Sequence, residues 1–305
     1  MRVITEKSDQ PLSRSSVVTV GNFDGVHRGH RALIDHCHAK AKPGQDIVLV
    51  CFEPLPQAYF RPEHAPARLT GPSQKARLLE AAGVDLVWMM PFDQDLADMA
   101  PDQFCRSVLL ECLSASRVVV GRDFRYGQTR QGDVDSLTLF GESAGFSVDA
   151  LPDVEHDGVR ISSSVIRTAL AEGDLQLAER YLGRPFTMEG EVIRGLGLGR
   201  DLGYPTANLK LEAGPSPLAG IFAVRVRLDD TWLDGVASLG YRPVLGGKDF
   251  LVEVHILDFS EEIYGRTLEV EFVEKIRDEQ NFDSMEDLVK QIRNDEARSR
   301  KILRF

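Results

Sequence analysis

Up to about residue 183 the chain alternates short, almost purely apolar runs with amphipathic stretches. Ser16 to Val20 (SVVTV), Asp46 to Phe52 (DIVLVCF), Leu86 to Met90 (LVWMM) and Arg117 to Gly121 (RVVVG) have the length and β-branched content of strands. Between them, Arg31 to Lys40, Gln74 to Ala82 and Gln103 to Leu113 place apolar residues at helical spacing, with Pro101-Asp102 as a helix start. Strands that are apolar throughout and separated by helices predict a parallel sheet covered on both faces, a doubly wound α/β domain.

After Tyr181-Leu-Gly-Arg-Pro185 the period changes from helical to twofold. Phe222, Val224, Val226 and Leu228 alternate with Ala223, Arg225 and Arg227; Val252, Val254 and Ile256 alternate with Glu253, His255 and Leu257; Leu268, Val270 and Phe272 alternate with Glu269 and Glu271. Half-buried antiparallel strands with Gly and Pro clusters between them predict a small C-terminal β-barrel, closed by an amphipathic terminal helix from about Ser284 to Asp295. The expected domains are residues 1–183 and 187–305.

A length of 305 residues fits two domains. With 43% hydrophobic and 27% charged residues and no apolar run of membrane-spanning length, the composition is that of an ordinary globular protein, and no membrane association is expected. The formal charge of -11 divides evenly: 20 basic and 25 acidic residues precede Thr187, and 16 and 22 follow from it. Neither half has the sign of a nucleic-acid backbone binder. The opening MRVITEKSDQ lacks the apolar stretch of a signal peptide, so a cytoplasmic protein is expected, a monomer or weak oligomer. Cys37, Cys51, Cys105 and Cys112 form no Cys-x-x-Cys pair and read as buried free thiols. The terminal Arg298, Arg300, Lys301 and Arg304 read as a solvated helix end.

The first strand is followed by Gly21-Asn22-Phe23-Asp24-Gly25-Val26-His27-Arg28-Gly29-His30 and then a helix. A glycine-rich turn between strand and helix exposes N–H groups at the positive end of the helix dipole, where a phosphate binds. The glycine spacing is neither the dinucleotide fingerprint nor a Walker loop. His27 and His30 could cap the helix, ligate a metal, or donate hydrogen bonds to charge on a phosphoryl oxygen. In Ile161-Ser162-Ser163-Ser164-Val165-Ile166-Arg167 the serines offer N-cap hydroxyls and Arg167 a planar donor fork for a polyphosphate. Arg117, Arg122, Arg125 and Arg130 surround the single acid Asp123, a local charge of +3 that suits an anionic ligand.

These strings resemble known ones. His27-x-Gly29-His30 resembles the HxGH signature of the nucleotidylyltransferase superfamily, and GNFDGVHRGH resembles the adenylyltransferase module of bacterial bifunctional riboflavin kinase/FAD synthetases. Phe52-Glu53-Pro54-Leu55-Pro56, Gly121-Arg122-Asp123-Phe124-Arg125-Tyr126-Gly127 and the Ile161–Arg167 string are similar to further segments of that family, in the same order. The resemblance implies a Rossmann-like nucleotidylyltransferase domain. Gly21, Asn22, Phe23, Asp24, His27, Gly29, His30, Ser163, Ser164 and Arg167 would bind ATP there, His27 and His30 would be catalytic, and Asp123, Phe124 and Arg125 would lie at the flavin and nucleotide pocket.

In the second half, Gly195-Leu-Gly197-Leu-Gly199-Arg200 precedes Leu202-Gly-Tyr-Pro205-Thr206-Ala207-Asn208. The glycines allow a loop over phosphates, and they also suit a hairpin turn. Thr206 and Asn208, two apart on an extended segment, face one side and carry hard oxygen ligands of the kind Mg²⁺ accepts. The string resembles the riboflavin kinase GxGxGRxLGYPTAN motif. The resemblance implies that Gly195, Gly197, Gly199, Arg200, Thr206 and Asn208 bind ATP, that Thr206 and Asn208 hold Mg²⁺, that Glu253 is the catalytic base, that Asn208 is catalytic too, and that Arg277 and Phe282 contact flavin. Riboflavin, FMN and ATP would be the substrates. Where the family commonly has Asn-x-Gly-x-Arg-Pro-Thr, this chain has Ser238-Leu-Gly240-Tyr-Arg242-Pro243-Val244.

Overall fold

The computed structural model describes residues 1–195, 199, 202–244 and 247–304. The chain divides into two compact units, one of Met1–Pro66 with Lys75–Ile161, the other of Ala67–Gln74 with Ser162–Phe305.

The first unit holds a six-stranded, wholly parallel sheet: β1 (Arg2–Ile4), β2 (Ser16–Val20), β3 (Asp46–Glu53), β4 (Leu86–Pro91), β5 (Ala115–Gly121) and β6 (Ser147–Leu151), in the order β1-β4-β3-β2-β5-β6. Its apolar runs serve two cores at once. Val18, Val20, Val48, Val50, Trp88, Val118 and Val120 face one hydrophobic cluster, while Val17, Ile47, Leu49, Val87, Met89 and Val119 face another. Alternate residues pointing to opposite covered faces explain why these strands read as continuous rather than alternating. The helices of the unit include α1 (Arg28–Lys40), α2 (Pro56–Phe60), α4 (Gln94–Ala97), α5 (Pro101–Phe104) and α6 (Val134–Ala144). Helix α3 (Pro72–Glu80) crosses the division of the chain after Gln74. The expected helix at 103–113 is α5 followed by a π-helical segment, Cys105–Cys112, which buries Cys105, Val108, Leu109 and Cys112. All four cysteines are buried free thiols, and burial pushes Cys37 up to about 12 and Cys51 and Cys105 to about 11.

Neighbours β2 and β5 lie between the strands that run off in opposite directions, which makes their carboxyl ends the switch point of the sheet. Crevices outside the carboxyl ends at such a point are where open α/β sheets bind ligands. The loop beginning at Gly21 leaves β2 there, and the loop beginning at Gly121 leaves β5 there.

The second unit contains α7 (Ser163–Glu172), α8 (Leu175–Leu182) and a closed antiparallel barrel of β9 (Thr187–Ile193), β10 (Ala207–Leu211), β11 (Gly220–Leu228), β12 (Thr231–Val244), β13 (Gly247–Ile256) and β14 (Thr267–Arg277), ordered β10-β13-β12-β11-β14-β9. Helix α9 (Met285–Leu303) lies against Ile221, Ala223 and Ile276 through Leu303. It runs eight residues beyond the expected end at Asp295 because the barrel holds it. Arg298 donates to the Ile276 carbonyl at 3.0 Å, Ser299 to the Gly235 carbonyl at 2.9 Å, and Arg300 forks onto both oxygens of Asp258. The expected solvated helix end is therefore, at Arg298 and Arg300, an anchored one.

Candidate functional site

In the first unit, the loop after β2 is a tight turn with Phe23, Gly25 and Val26 at φ of 50°, 84° and 41°. Packing enforces it, since Phe23 is fully buried and Val26 is 2% exposed. Phe23 therefore serves the core, and its ring also packs against that of His30, with centroids 4.6 Å apart. His27 is the N-cap of α1, and the two histidines cap reciprocally: each backbone N–H, of His27 and of His30, donates to Nδ1 of the other ring at 3.3 Å. The rings stack 3.6 Å apart, and Gly29 makes this possible, because a Cβ there would press on the His27 ring at 3.1 Å. A neutral imidazole that accepts at Nδ1 carries its proton on Nε2. Capping and hydrogen-bond donation are thus complementary: the cap selects the donor tautomer.

The loop after β5 differs from its sequence reading. Its local charge is offset by acids distant in the chain: Arg117 pairs with Asp149 at 2.5 Å, Arg122 with Asp153 at 2.6 Å and Arg125 with Asp133 at 3.0 Å, while Asp123 is taken by Arg160 at 2.5 Å. Burial opposes ionisation of Asp149, but hydrogen bonds from His36 and Arg117 outweigh it and hold the carboxyl below its usual range. Phe124 stacks on Tyr126 with ring centroids 5.5 Å apart. Among the serines, Ser162 is the cap of α7, Ser163 and Ser164 occupy its first turn, and Arg167 Nε donates to the Ala67 carbonyl at 2.6 Å, all within the second unit.

On the barrel, strand register assembles what the motifs could not. Asn208 on β10 lies directly opposite Glu253 on β13, and Glu253 opposite Ser238 on β12. Ser238 in turn faces Ile221 on β11, which faces Arg277 on β14. Directly opposed residues share a face with Cβ atoms about 5 Å apart. One row therefore crosses the outer face, opposite to the buried Val252 and Val254. Thr206, Asn208, Ser238, Glu253, His255 and Arg277 line a cleft of about 1220 Å³ over it, with Phe282 at its wall. His255 shares a hydrogen bond of 2.8 Å with the Pro205 carbonyl and packs edge-on against Tyr204, which steadies the segment leading to Thr206. The glycines fit closely: a Cβ at Gly195 would fall on the Asn208 amide, and one at Gly199 on the Tyr204 carbonyl and near Thr206 Oγ1. Gly197 and Arg200 lie outside the described residues.

Arg277 lines the cleft and has a structural partner there as well. Its guanidinium is spent on Asp295 of α9, with Nε and Nη contacts of 2.7 to 3.1 Å, and it stacks over Phe282 at 5.8 Å. With side chains 15% and 5% exposed, this pair is a strut under the cleft wall. His255 was within reach of sequence reasoning, being two residues from Glu253 on the same face; Ser238 stood out only as a departure from a family string until register placed it beside Glu253, and Asp295 is brought in by helix packing alone.

A parallel sheet with a His-x-Gly-His turn at its switch point, joined in one chain to a closed barrel bearing a Thr/Asn/Glu cleft, defines a two-domain nucleotidyl- and phosphoryl-transferase. The FAD synthetase family model matches residues 9–165, and the riboflavin kinase family model matches residues 182–303. The chain belongs to the bifunctional riboflavin kinase/FMN adenylyltransferase family. It is 43% identical to the protein of that name from Pseudomonas fluorescens and 42% identical to that of Escherichia coli K12, each over 293 residues covering 95% of this chain and 94% of the relative. A crystal structure titled macrolide-efflux protein from Streptococcus pneumoniae superposes with a TM-score of 0.85 at 30% identity, covering 98% of this chain and 99% of that one. That title belongs to that protein; among the described residues here no helix is long and apolar enough to cross a membrane.

Proposed function

We propose that the chain runs two ATP-dependent reactions in succession, with residues 187–305 phosphorylating riboflavin to FMN and residues 1–183 adenylylating FMN to FAD with release of pyrophosphate. The family membership supports the pair of activities. The observation that carries the residue assignment is the direct opposition of Asn208 and Glu253 in the cleft.

In the kinase step, Glu253 takes the proton of the ribityl 5′-hydroxyl as its oxygen attacks the γ-phosphorus and ADP leaves. Asn208, held by the close approach of Gly195, orients the phosphates beside it. Among the described residues, no group of three or more His, Cys, Asp or Glu could hold a metal ion. The donor set instead fits a Mg²⁺ shared with substrate, since the Thr206 hydroxyl and Asn208 carbonyl sit in a cradle that side chains at Gly195 and Gly199 would fill. Bound there, Mg²⁺ supplies charge neutralisation at the phosphoryl oxygens. Phe282, backed by the Arg277–Asp295 strut, offers an aromatic face to flavin.

In the adenylyl step, a phosphate oxygen of FMN attacks the α-phosphorus and pyrophosphate leaves, with no covalent enzyme intermediate. Nε2–H of His27 and of His30 donates to the developing charge, beside the N–H groups of the Gly21–Gly29 turn. For Ser163, Ser164 and Arg167 as ATP-phosphate ligands, the support is their sequence string. Phe124 offers the flavin pocket an apolar surface, whereas Asp123 and Arg125 are engaged by Arg160 and Asp133 and contribute mainly to loop shape.

The test is incubation with riboflavin, ATP and Mg²⁺, with flavins followed by chromatography. FMN appearing first and FAD after it is the expected course; formation of neither overturns the reading.

A further inference from the structure

Lys75 lies on α3, and no motif or resemblance singled it out. It is 2% exposed, so its ammonium is withdrawn from water. Nζ donates to the carbonyl oxygen of Asn22 at 3.0 Å. Among the described residues this is its one hydrogen bond, and no carboxylate lies within ion-pair distance of it. An ammonium has three donors, and burying its charge is costly unless an anion answers it. The other buried ion of comparable depth on the barrel side, Asp295, is fully answered by Arg277 and Gln291.

What Lys75 holds is the entry of the turn that presents His27 and His30. Left-handed backbone at Phe23 and at the β-branched Val26 is disfavoured and persists only where surroundings fix it. Buried side chains fix the middle of the turn, the Gly21 N–H fixes its start through the Val50 carbonyl at 3.0 Å, and Lys75 fixes Asn22 between them. Asp24, the acid within the turn, is partnered without Lys75. A buried positive charge with no carboxylate in direct contact thus lies beneath the turn.

We propose that Lys75 is a positioning residue of the adenylyl-transfer site: it clamps the Asn22 carbonyl and sets a buried positive charge under the turn, strengthening its hold on the triphosphate of ATP and on departing pyrophosphate. This rests on the adenylyl-transfer reading given above.

The test uses the full chain. Lys75→Met removes charge and donor at similar volume, and Lys75→Gln removes the charge but keeps a donor for Asn22. In both, the KM for ATP in the conversion of FMN to FAD rises about tenfold or more, inhibition by added inorganic pyrophosphate weakens in parallel, and kcat at saturating ATP changes less. Riboflavin phosphorylation by the same protein stays at the unsubstituted rate and reports an intact chain. A normal ATP KM in both variants overturns the proposal, as does parallel loss of both reactions in both variants, which marks a purely structural lysine. If the unsubstituted chain forms no FAD, the adenylyl-transfer reading fails and this inference with it; if it does and the variants match it, only Lys75 is misassigned.

Discussion

At the scale of single residues, the proposed kinase site is built on very close approaches. Gly195 lets the backbone pass where a methyl group would meet the Asn208 amide. Gly195→Ala must push Asn208 aside, and a displacement near 1 Å at a phosphoryl-transfer site costs roughly a hundredfold in rate. FMN formation should fall by about that factor, with conversion of supplied FMN to FAD unaffected, both read by chromatography. Residues of this kind were legible because their strings are local: Gly21 to His30, Pro205 to Asn208. Charge was legible only in sum. Arg117, Arg122 and Arg125 looked like a cationic patch because Asp149, Asp153 and Asp133 stand up to 32 residues away in sequence and are brought back by β6 and the segments around it. Lys75 escaped notice for a related reason: a lysine in a helical stretch reads as a solvated charge until its burial is known.

At the scale of elements, strands with a single dominant pattern were legible and strands interrupted by small or polar residues were not. β2, β3, β4 and β5 match their apolar runs to within two residues at either end. β1 is three residues long and β6 reads SVDAL, too short and too polar to stand out from loops. β12 escaped because Gly235, Gly240 and Pro243 look like turns, although in a 14-residue strand they remain in register with β13. Its recovery matters for function, since β12 brings Ser238 opposite Glu253. The join between α9 and β14 depends on one ion pair. Asp295→Asn leaves the Arg277 guanidinium buried without its counterion and should cost about 3–5 kcal/mol of stability, measured by denaturant midpoint. Replacing both, Arg277→Met with Asp295→Leu, should recover most of that loss. A single substitution costing under about 1 kcal/mol would show that the strut contributes little.

At the scale of the whole molecule, the two reactions should be separable by substitution. Asn208→Ala should abolish phosphorylation of riboflavin while supplied FMN still becomes FAD, and His30→Ala should block FAD formation while FMN accumulates. Loss of both products in either variant would mean that the assignment of one reaction to each set of residues is wrong. Two-domain organisation was legible in the change of hydrophobic period; the finer division was not, because contacts group α7, α8 and residues 67–74 with the barrel, a grouping that linear pattern cannot anticipate.

The closure of the barrel has a consequence for how the molecule meets copies of itself. Each strand of the barrel has a hydrogen-bonded neighbour on both sides, so strands rich in Val, Leu and Phe present no open flank on which another chain could nucleate pairing. The sheet of the first unit does have two flanks, and both are poor templates: β1 ends after three residues, and β6 carries Asp149 in an ion pair. Sequences that in isolation would favour cross-β aggregation are thereby committed to a folded enzyme.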